Sequence, residues 1–195
     1  MSMIQETETL MRTLMRSDPE GLRSLNVSGS TPETLSVTVA HGPIPVEKPF
    51  TPHRREIVAG LVQRMQQRRW SAFDHFTMSL PVPTEHELDS LSEKHAACTS
   101  VLSCGPGWTW LLDAAFSYVS ELSPHDAWHT TQVKEKFAGL RIYYSGHPGD
   151  DGDDVMEAAE MISYYVCDVC GGAGKVRKGG WWRTTCDAHS HIAEV

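Results

Sequence analysis

Two short pairs of metal-ligand residue types near the C-terminus constrain the fold of this chain more than any other feature. Two residues separate Cys167 from Cys170, two separate Cys186 from His189, and fifteen residues lie between the pairs. The spacing Cys-x2-Cys-x15-Cys-x2-His is typical of a structural zinc ribbon, in which each pair curls around one side of the ion. We therefore predict that these four residues bind Zn²⁺, with His191 as the alternative fourth ligand.

The residues between the two pairs predict a small hairpin. Two short strands, near 175–177 and 181–185, flank the turn Lys178-Gly179-Gly180. So small a module has almost no core, and metal binding of order 10 kcal/mol would supply most of its folding energy. Four protein ligands leave no open position for water, so the predicted zinc is structural and not catalytic. A redox-active cysteine group is the alternative interpretation.

The composition indicates a globular protein inside the cell. The chain has 195 residues, of which 40% are hydrophobic and 22% charged, and a formal net charge of -8. That charge argues against wrapping by nucleic acid, which needs a basic face. Five cysteines with metal-ligand spacing fit a reducing compartment. Without a signal-peptide pattern or a run of about 20 apolar residues, we predict a location in the cytoplasm and no membrane partner.

Hydrophobic periodicity predicts an α+β fold: a small helix-and-antiparallel-sheet domain with a C-terminal zinc ribbon. Strands are predicted over 73–80 and in a hairpin with arms at 130–136 and 140–144. An acidic stretch, 147–154, is expected to be an exposed loop in which Asp153 or Asp154 caps the next helix. The apolar stripes place helices over residues 3–16, 51–70, 108–122 and 155–166.

Three segments follow from these elements. Residues 1–50 hold the N-terminal helix, a strand and a proline-rich connector, residues 51–166 form the α+β core domain, and residues 167–195 form the ribbon. The helix that ends at Val166 runs directly into Cys167, so the ribbon is expected to dock on the core.

Basic residues form two candidate contact surfaces. The first lies on the helix 51–70 and comprises Arg54, Arg55, Arg68 and Arg69; a solvated helix face is its alternative explanation. The second lies on the ribbon, where cations stand beside aromatic rings, an arrangement that serves both nucleic-acid and protein contacts. It comprises Lys175, Arg177, Lys178, Trp182 and Arg183. The hairpin also carries aromatic and basic residues, Tyr143, Tyr144, Arg141, Lys134 and Lys136, of the kind that stack nucleic-acid bases. A core hairpin with one charged face is the favoured explanation for them.

Motifs that would identify an enzyme are missing from the sequence. It has no phosphate loop, no dinucleotide-binding fingerprint and no Gly-x-Ser-x-Gly elbow. The zinc-deaminase signature, His-x-Glu before Pro-Cys-x-x-Cys, is also missing. We predict a non-enzymatic protein with no evident small-molecule substrate, and an unrecognised hydrolase is the remaining alternative.

Three stretches in the C-terminal half of the chain together resemble a known group of proteins. They are Cys104-Gly105-Pro106-Gly107-Trp108, then residues 132–146, and then residues 180–189. In combination they resemble a group of small, uncharacterised phage and prophage proteins, over about residues 100–190. The resemblance implies a zinc-bearing α+β domain and a mobile-element origin, and it implies no activity.

Two functional hypotheses follow. Small phage proteins without a catalytic constellation often act on host machinery, so the first is an accessory protein that binds a host protein, with a component of antiviral defence as the candidate. The acidic net charge favours it. The alternative is a regulatory zinc ribbon that binds nucleic acid through its basic and aromatic residues, and such binding would weaken steeply with salt.

Overall fold

The fold is α+β, as predicted, in a computed structural model that describes residues 2–45, 52–124 and 126–194. The helices in the described residues are α1 Met3–Leu14, α2 Pro19–Ser24, α3 Arg55–Ser71, α4 Glu85–Asp89, α5 Leu91–Lys94, α6 Thr109–Leu122 and α7 Asp150–Ser163. The strands are β1 Asn26–Ser28, β2 Ser36–Thr38, β3 Leu102–Ser103, β4 Trp128–Lys136, β5 Gly139–Gly146, β6 Lys175–Lys178 and β7 Trp182–Thr185.

The strands form three separate small sheets within the described residues. β1 pairs antiparallel with β2, and β6 with β7. The central sheet has the order β3-β4-β5, and its long antiparallel hairpin aligns Val133 with Ile142. This confirms the hairpin that alternation predicted. The short strand β3 is parallel to β4, so the central sheet is mixed and not purely antiparallel.

The core lies where α6 packs against α3 and α7. Its helical stripe is apolar because Leu111, Leu112, Ala115, Phe116 and Val119 recur at spacings that share one face, and all are fully buried. Trp108 and Trp128 add the largest buried rings. The buried apolar side chains form one cluster that extends from Leu10 to Val166. The division of the sequence into three segments stays a prediction.

Buried ion pairs attach the N-terminal segment to α3. Asp18 accepts two hydrogen bonds from Arg55, at 2.6 Å from Nε and 2.8 Å from Nη2. Glu6 accepts one from Arg69 Nη1 at 2.5 Å and one from Trp70 Nε1 at 3.1 Å. A buried carboxylate needs such partners, because an unpaired one would carry a large desolvation cost.

The predicted strand over 73–80 is wrong. The carboxylate of Asp74 accepts hydrogen bonds from the backbone N–H groups of Phe76 and Thr77, which folds the segment into a turn. A single bridge between Asp74 and Ser79 closes that turn. The side chain of Phe76 is fully exposed at its tip.

Two predicted helix starts are also wrong. Helix α3 begins at Arg55 and not near residue 51, and Thr51 itself lies outside the described residues. Helix α7 begins at Asp150, so most of the predicted acidic loop is helical and neither Asp153 nor Asp154 is its cap. Acidic side chains are favourable in a first helical turn because they face the positive end of the helix dipole. None of the helices in the described part of the chain has the length and apolar character that crossing a bilayer requires.

Candidate metal centre

Four side chains from the two ends of the ribbon converge on one point. Cys167 follows α7, Cys170 lies in the turn after it, and Cys186 and His189 follow β7. One ligand atom from each of the four lies within 4.8 Å of every other, so the group could hold a metal ion. His191 lies outside this group. The structure therefore brings together the four residues that the spacing predicted.

The contacts within the group join sulfur and imidazole nitrogen atoms. Nδ1 of His189 lies 3.6 Å from Sγ of Cys167 and 3.2 Å from Sγ of Cys186. The sulfur atoms of Cys170 and Cys186 are 3.9 Å apart. All three cysteines are free thiols in a half-buried or buried position. Soft sulfur and nitrogen donors at such separations suit a four-coordinate transition-metal ion.

The surroundings of Cys167 favour a thiolate. Hydrogen bonding with the Cys170 thiol is the largest influence that lowers the pKa of Cys167, and backbone N–H groups of the two knuckles add to it. These effects outweigh burial, which acts in the opposite direction. A thiolate is the form that binds metal, so the hydrogen bonds from the Cys170 thiol and from the backbone favour the form of Cys167 that could ligate an ion.

The Gly-Pro-Gly-Trp turn before α6 supports the first knuckle. The backbone N–H of Gly107 donates to the carbonyl of Asp168 at 2.9 Å, and Nε1 of Trp108 donates to the carbonyl of Val166 at 2.9 Å. A Cβ on Gly107 would lie 2.3 Å from the Cys167 carbonyl oxygen, and one on Gly105 would lie 2.2 Å from that of Asp168. Only glycine permits this approach. The ribbon is therefore docked on the core.

The interior of the ribbon is polar. Within residues 167–192, the part of the ribbon whose side chains the structure describes, the buried side chains are Cys167, Asp168, Thr184 and Thr185, and no large apolar side chain is buried. Thr184 donates its hydroxyl to the carbonyl of Ala138 at 2.7 Å, and Asp168 accepts from Arg183 Nε at 2.7 Å. Polar contacts and the metal ligands thus take the place of a hydrophobic core.

The structure corrects the first candidate contact surface. Arg55 and Arg69 are buried in their ion pairs with Asp18 and Glu6, so they are not available to a partner. The other two arginines also pair with carboxylates. Arg54 binds Asp151 and Asp154, and Arg68 binds Asp113. These arginines are patterned like a basic stripe, but they serve the packing of α3 against its neighbours.

Most of the ribbon's predicted contact residues are also paired. Lys175 and Arg177 both bind the carboxylate of Asp187, and Arg183 binds that of Asp168. Lys178 is different, since its ammonium group lies 4.6 Å from the centre of the Trp182 ring. Lys175 remains exposed despite its ion pair. Among the five residues predicted here, Lys178 is the cation without a carboxylate partner among the described residues, and Trp182 lies beside it.

An exposed apolar cleft opens between the tip of the β4–β5 hairpin and the tip of the ribbon. This aromatic cleft has a volume of about 560 Å³ and is lined by Lys134, Glu135, Lys136, Phe137, Gly180, Trp181 and Trp182. Its three aromatic side chains are 67%, 64% and 43% exposed, in the order Phe137, Trp181 and Trp182. Nε1 of Trp181 donates to Glu135 at 3.0 Å, which joins hairpin and ribbon across the cleft.

The hairpin tip holds Phe137 in a conformation that phenylalanine rarely adopts. A two-residue turn joins β4 to β5, with φ of 52° at Phe137 and 69° at Ala138. Such turns favour Asn-Gly, because both central residues need positive φ. Strain of this kind persists where surrounding contacts enforce it, and it is common at functional sites. Phe137 is not among the contact residues predicted from the sequence. The signal for it is a Phe-Ala pair at a turn that favours Asn-Gly.

The two remaining cysteines are poorly suited to catalysis. Burial raises the pKa of the Cys98 thiol to about 11 and that of the Cys104 thiol to about 12. Both are free thiols, and at neutral pH they stay protonated, which is the weakly nucleophilic form.

Comparisons with protein-family models, with curated proteins and with solved structures found no match to this chain. The resemblance to small phage and prophage proteins stays a prediction. A function for the chain therefore depends on the geometry of the metal centre and of the aromatic cleft.

Proposed function

We propose that this chain is a non-enzymatic zinc protein that binds a protein partner through the aromatic cleft. The zinc is structural: it holds the ribbon in place, and the ribbon supplies one wall of the cleft. In accordance with the resemblance to phage proteins, the partner is a host protein in the cytoplasm, and a component of antiviral defence is the candidate. The exposure of three large aromatic side chains around one cleft is the observation that carries the proposal.

The distances within the ligand group support zinc. A tetrahedral Zn²⁺ with bonds of about 2.3 Å to sulfur and about 2.05 Å to nitrogen separates its ligand atoms by about 3.8 Å for two sulfurs and about 3.6 Å for sulfur and nitrogen. The sulfur atoms of Cys170 and Cys186 are 3.9 Å apart, and Sγ of Cys167 lies 3.6 Å from Nδ1 of His189, close to these values. Sγ of Cys186 lies 3.2 Å from the same nitrogen, which is shorter than the tetrahedral value. A set of three cysteines and one histidine fills all four positions, so such an ion would have no site for a substrate.

The aromatic side chains support a protein partner. Exposed large aromatic residues that cluster are rare on monomeric proteins and are enriched at the centres of protein interfaces. Fixing the cleft in advance lowers the conformational entropy that binding must overcome. Phe137 is fixed by its two-residue turn, and Trp181 by its hydrogen bond to Glu135.

The charges around the cleft indicate an acidic partner. Lys134, Lys136 and Lys178 have no carboxylate within 4 Å among the described residues, and the same is true of only two other described cations, Arg16 and Arg23. On a chain of net charge -8, three such lysines beside one cleft favour a partner segment with carboxylates around a large apolar side chain.

Four variants of the zinc-loaded full chain test this proposal. Lys136→Glu and Phe137→Ser alter the cleft, and Arg16→Glu and Phe76→Ser make the same changes at exposed positions elsewhere. Each variant is used to capture proteins from host lysate treated with nuclease, and the partner that wild type retains is then purified. We expect each cleft variant to bind the purified partner at least about tenfold more weakly, because central aromatic residues dominate interface energies.

The controls decide the outcome. Binding in equal amounts by Arg16→Glu, Phe76→Ser and wild type, with loss in both cleft variants, supports the proposal. Equal binding by all four variants would refute it. Recovery of nucleic acid alone from untreated lysate, with an affinity that falls steeply as salt increases, would instead favour the nucleic-acid alternative.

A further inference from the structure

A second, polar recess adjoins the aromatic cleft. It has a volume of about 430 Å³ and lies between the start of α4, the turn before α6 and the ribbon. We call it the acidic recess; its ionisable and aromatic lining residues are Glu85, Cys104, Glu135, Asp168, Trp181 and Arg183. Trp181 and Glu135 form the border with the cleft.

The charges of the recess do not balance. Three carboxylates line it, and a single cation, Arg183, stands against them. The guanidinium of Arg183 binds Oδ2 of Asp168 at 2.7 Å, which leaves the charges of Glu85 and Glu135 in excess. Like charges around one concave site produce a negative potential that attracts a cation.

Asp168 provides an independent observation. Its side chain is only 2% exposed, and its Oδ1 atom has no hydrogen-bond partner among the described residues. A buried carboxylate oxygen without a donor carries an unfavourable desolvation energy. A ligand that brings positive charge to this wall of the recess would offset that energy.

The buried thiol of Cys104 lies close to two of these carboxylates. Burial is the main cause of its raised pKa, and the charges of Glu85 and Asp168 raise it further. Each of these two carboxylates opposes negative charge at the same point of the recess. Because the thiol is protonated at neutral pH, it adds no negative charge of its own.

The arrangement favours an extended organic cation over a metal ion. Among the described residues, the one group of His, Cys, Asp and Glu atoms close enough to share an ion is the candidate zinc site. The three recess carboxylates do not form such a group. They can instead face separate N–H donors of one extended ligand. The indole of Trp181 adds a ring face against which a guanidinium or ammonium group can lie.

We propose that the acidic recess binds a guanidinium or alkylammonium group. This is a site in addition to the partner-binding cleft, and it does not depend on the cleft having a partner. The ligand is either the side chain of an arginine or lysine or a free polyamine. Glu85 and Glu135 supply the negative charge that attracts the cation, although Glu135 also accepts hydrogen bonds from Ala138 N–H and Trp181 Nε1. Asp168 makes the electrostatic potential of the recess more negative from its wall.

Calorimetric titration of the zinc-loaded full chain tests the proposal. The probes are N-acetylarginine methylamide, which mimics a side chain, the citrulline analogue, which has the same shape without charge, and spermidine. We expect Glu85→Gln to weaken binding of the cations by about three- to tenfold, as the loss of one charge at a short distance near the surface requires. Glu93→Gln, on α5 and not among the lining residues, is the matched control.

Each result has a defined meaning. Tighter binding of the arginine amide than of spermidine identifies a side-chain ligand, and the reverse identifies a polyamine. Binding of neither cation at millimolar concentration, equal binding of the citrulline analogue, or equal affinity in the Glu85→Gln and Glu93→Gln variants would refute the site. The titration is independent of the test of the proposed function. If the Phe137→Ser variant captures the partner as well as wild type does, the proposed function is refuted, but the result for the recess stands.

Discussion

Different interactions stabilise the helical core and the ribbon. The core buries Leu112, Phe116 and Val119 completely, and its helices are held by this apolar contact. The ribbon buries the ligand Cys167 and the polar side chains of Asp168, Thr184 and Thr185. The large apolar side chains of Val176, Trp181 and Trp182 are exposed. In one region the large apolar side chains stabilise the fold, and in the other they are available for contact.

A structural metal ion would account for this difference. A small module that folds around an ion does not need its aromatic residues for a core. Trp181 and Trp182 can therefore lie at the surface, because the ribbon does not need them to form an apolar interior. Metal binding would thus leave Trp181 and Trp182 free to line the aromatic cleft.

Removal of one metal ligand should produce the largest effect. If the group binds zinc as proposed, Cys170→Ser should abolish stoichiometric zinc binding and unfold the ribbon, because a structural zinc would supply folding free energy of order 10 kcal/mol. Hydrogen exchange should show lost protection for the amides of β6 and β7, and elemental analysis should show the lost zinc. The amides of α6 should keep their protection, since apolar burial holds that helix.

Cys104→Ser is the matched control for that experiment, because Cys104 is a free thiol outside the ligand group. It should keep one zinc per chain and the protection of β6 and β7. A Cys170→Ser chain that retained both would show that the ligand assignment is wrong. Loss of protection in α6 together with the ribbon would show that the two regions are not stabilised separately.

A cavity in the core should have a smaller effect, which lowers the stability of the helical core and leaves metal binding by the ribbon unchanged. Leu112→Ala removes a completely buried side chain of α6 and should lower the free energy of unfolding by about 3 kcal/mol. Urea unfolding measures this change, and the folded variant should still bind one zinc. Phe76→Ala, at a fully exposed position, should change stability by less than about 0.5 kcal/mol. Equal effects of the two substitutions would contradict the described packing.

The smallest expected effect is a gain in stability at the hairpin tip. Phe137→Asn places a residue that tolerates positive φ at a position where φ is 52°, and should raise the free energy of unfolding by about 0.5 kcal/mol. The same variant should lose binding to the partner. Urea unfolding and titration with the purified partner measure the two changes. Lower stability would show that the phenylalanine is held there for packing and not for contact.

The sequence predicted the elements whose residues repeat at short range. The ligand spacing of Cys167, Cys170, Cys186 and His189 gave the metal group, and the period of α6 gave the main core helix. Both patterns are local, so a single sequence contains them. The strand over 73–80 failed because the side chain of Asp74 bonds to the backbone and forms a turn that alternation cannot reveal.

Tertiary pairing was not predictable in the same way. The arginines of α3 form a basic stripe in the sequence, but their partners, such as Asp18 and Glu6, lie far along the chain. The aromatic cleft likewise joins two hairpin tips, at Phe137 and Trp181, that are 44 positions apart by their numbers in the chain. A charge pattern shows which residues could make contact, and only the fold shows which are already occupied.

The close packing of Gly105 and Gly107 against the backbone of Cys167 and Asp168 has a consequence for biosynthesis. A ribosome makes the chain from the N-terminus, so the turn and the helix behind it exist before the last ligand, His189, is added. The residues that receive the first knuckle are therefore synthesised before either pair of ligands. Binding of a metal ion by all four ligands can be completed only after Cys186 and His189 have been added, so it would be a late step of assembly.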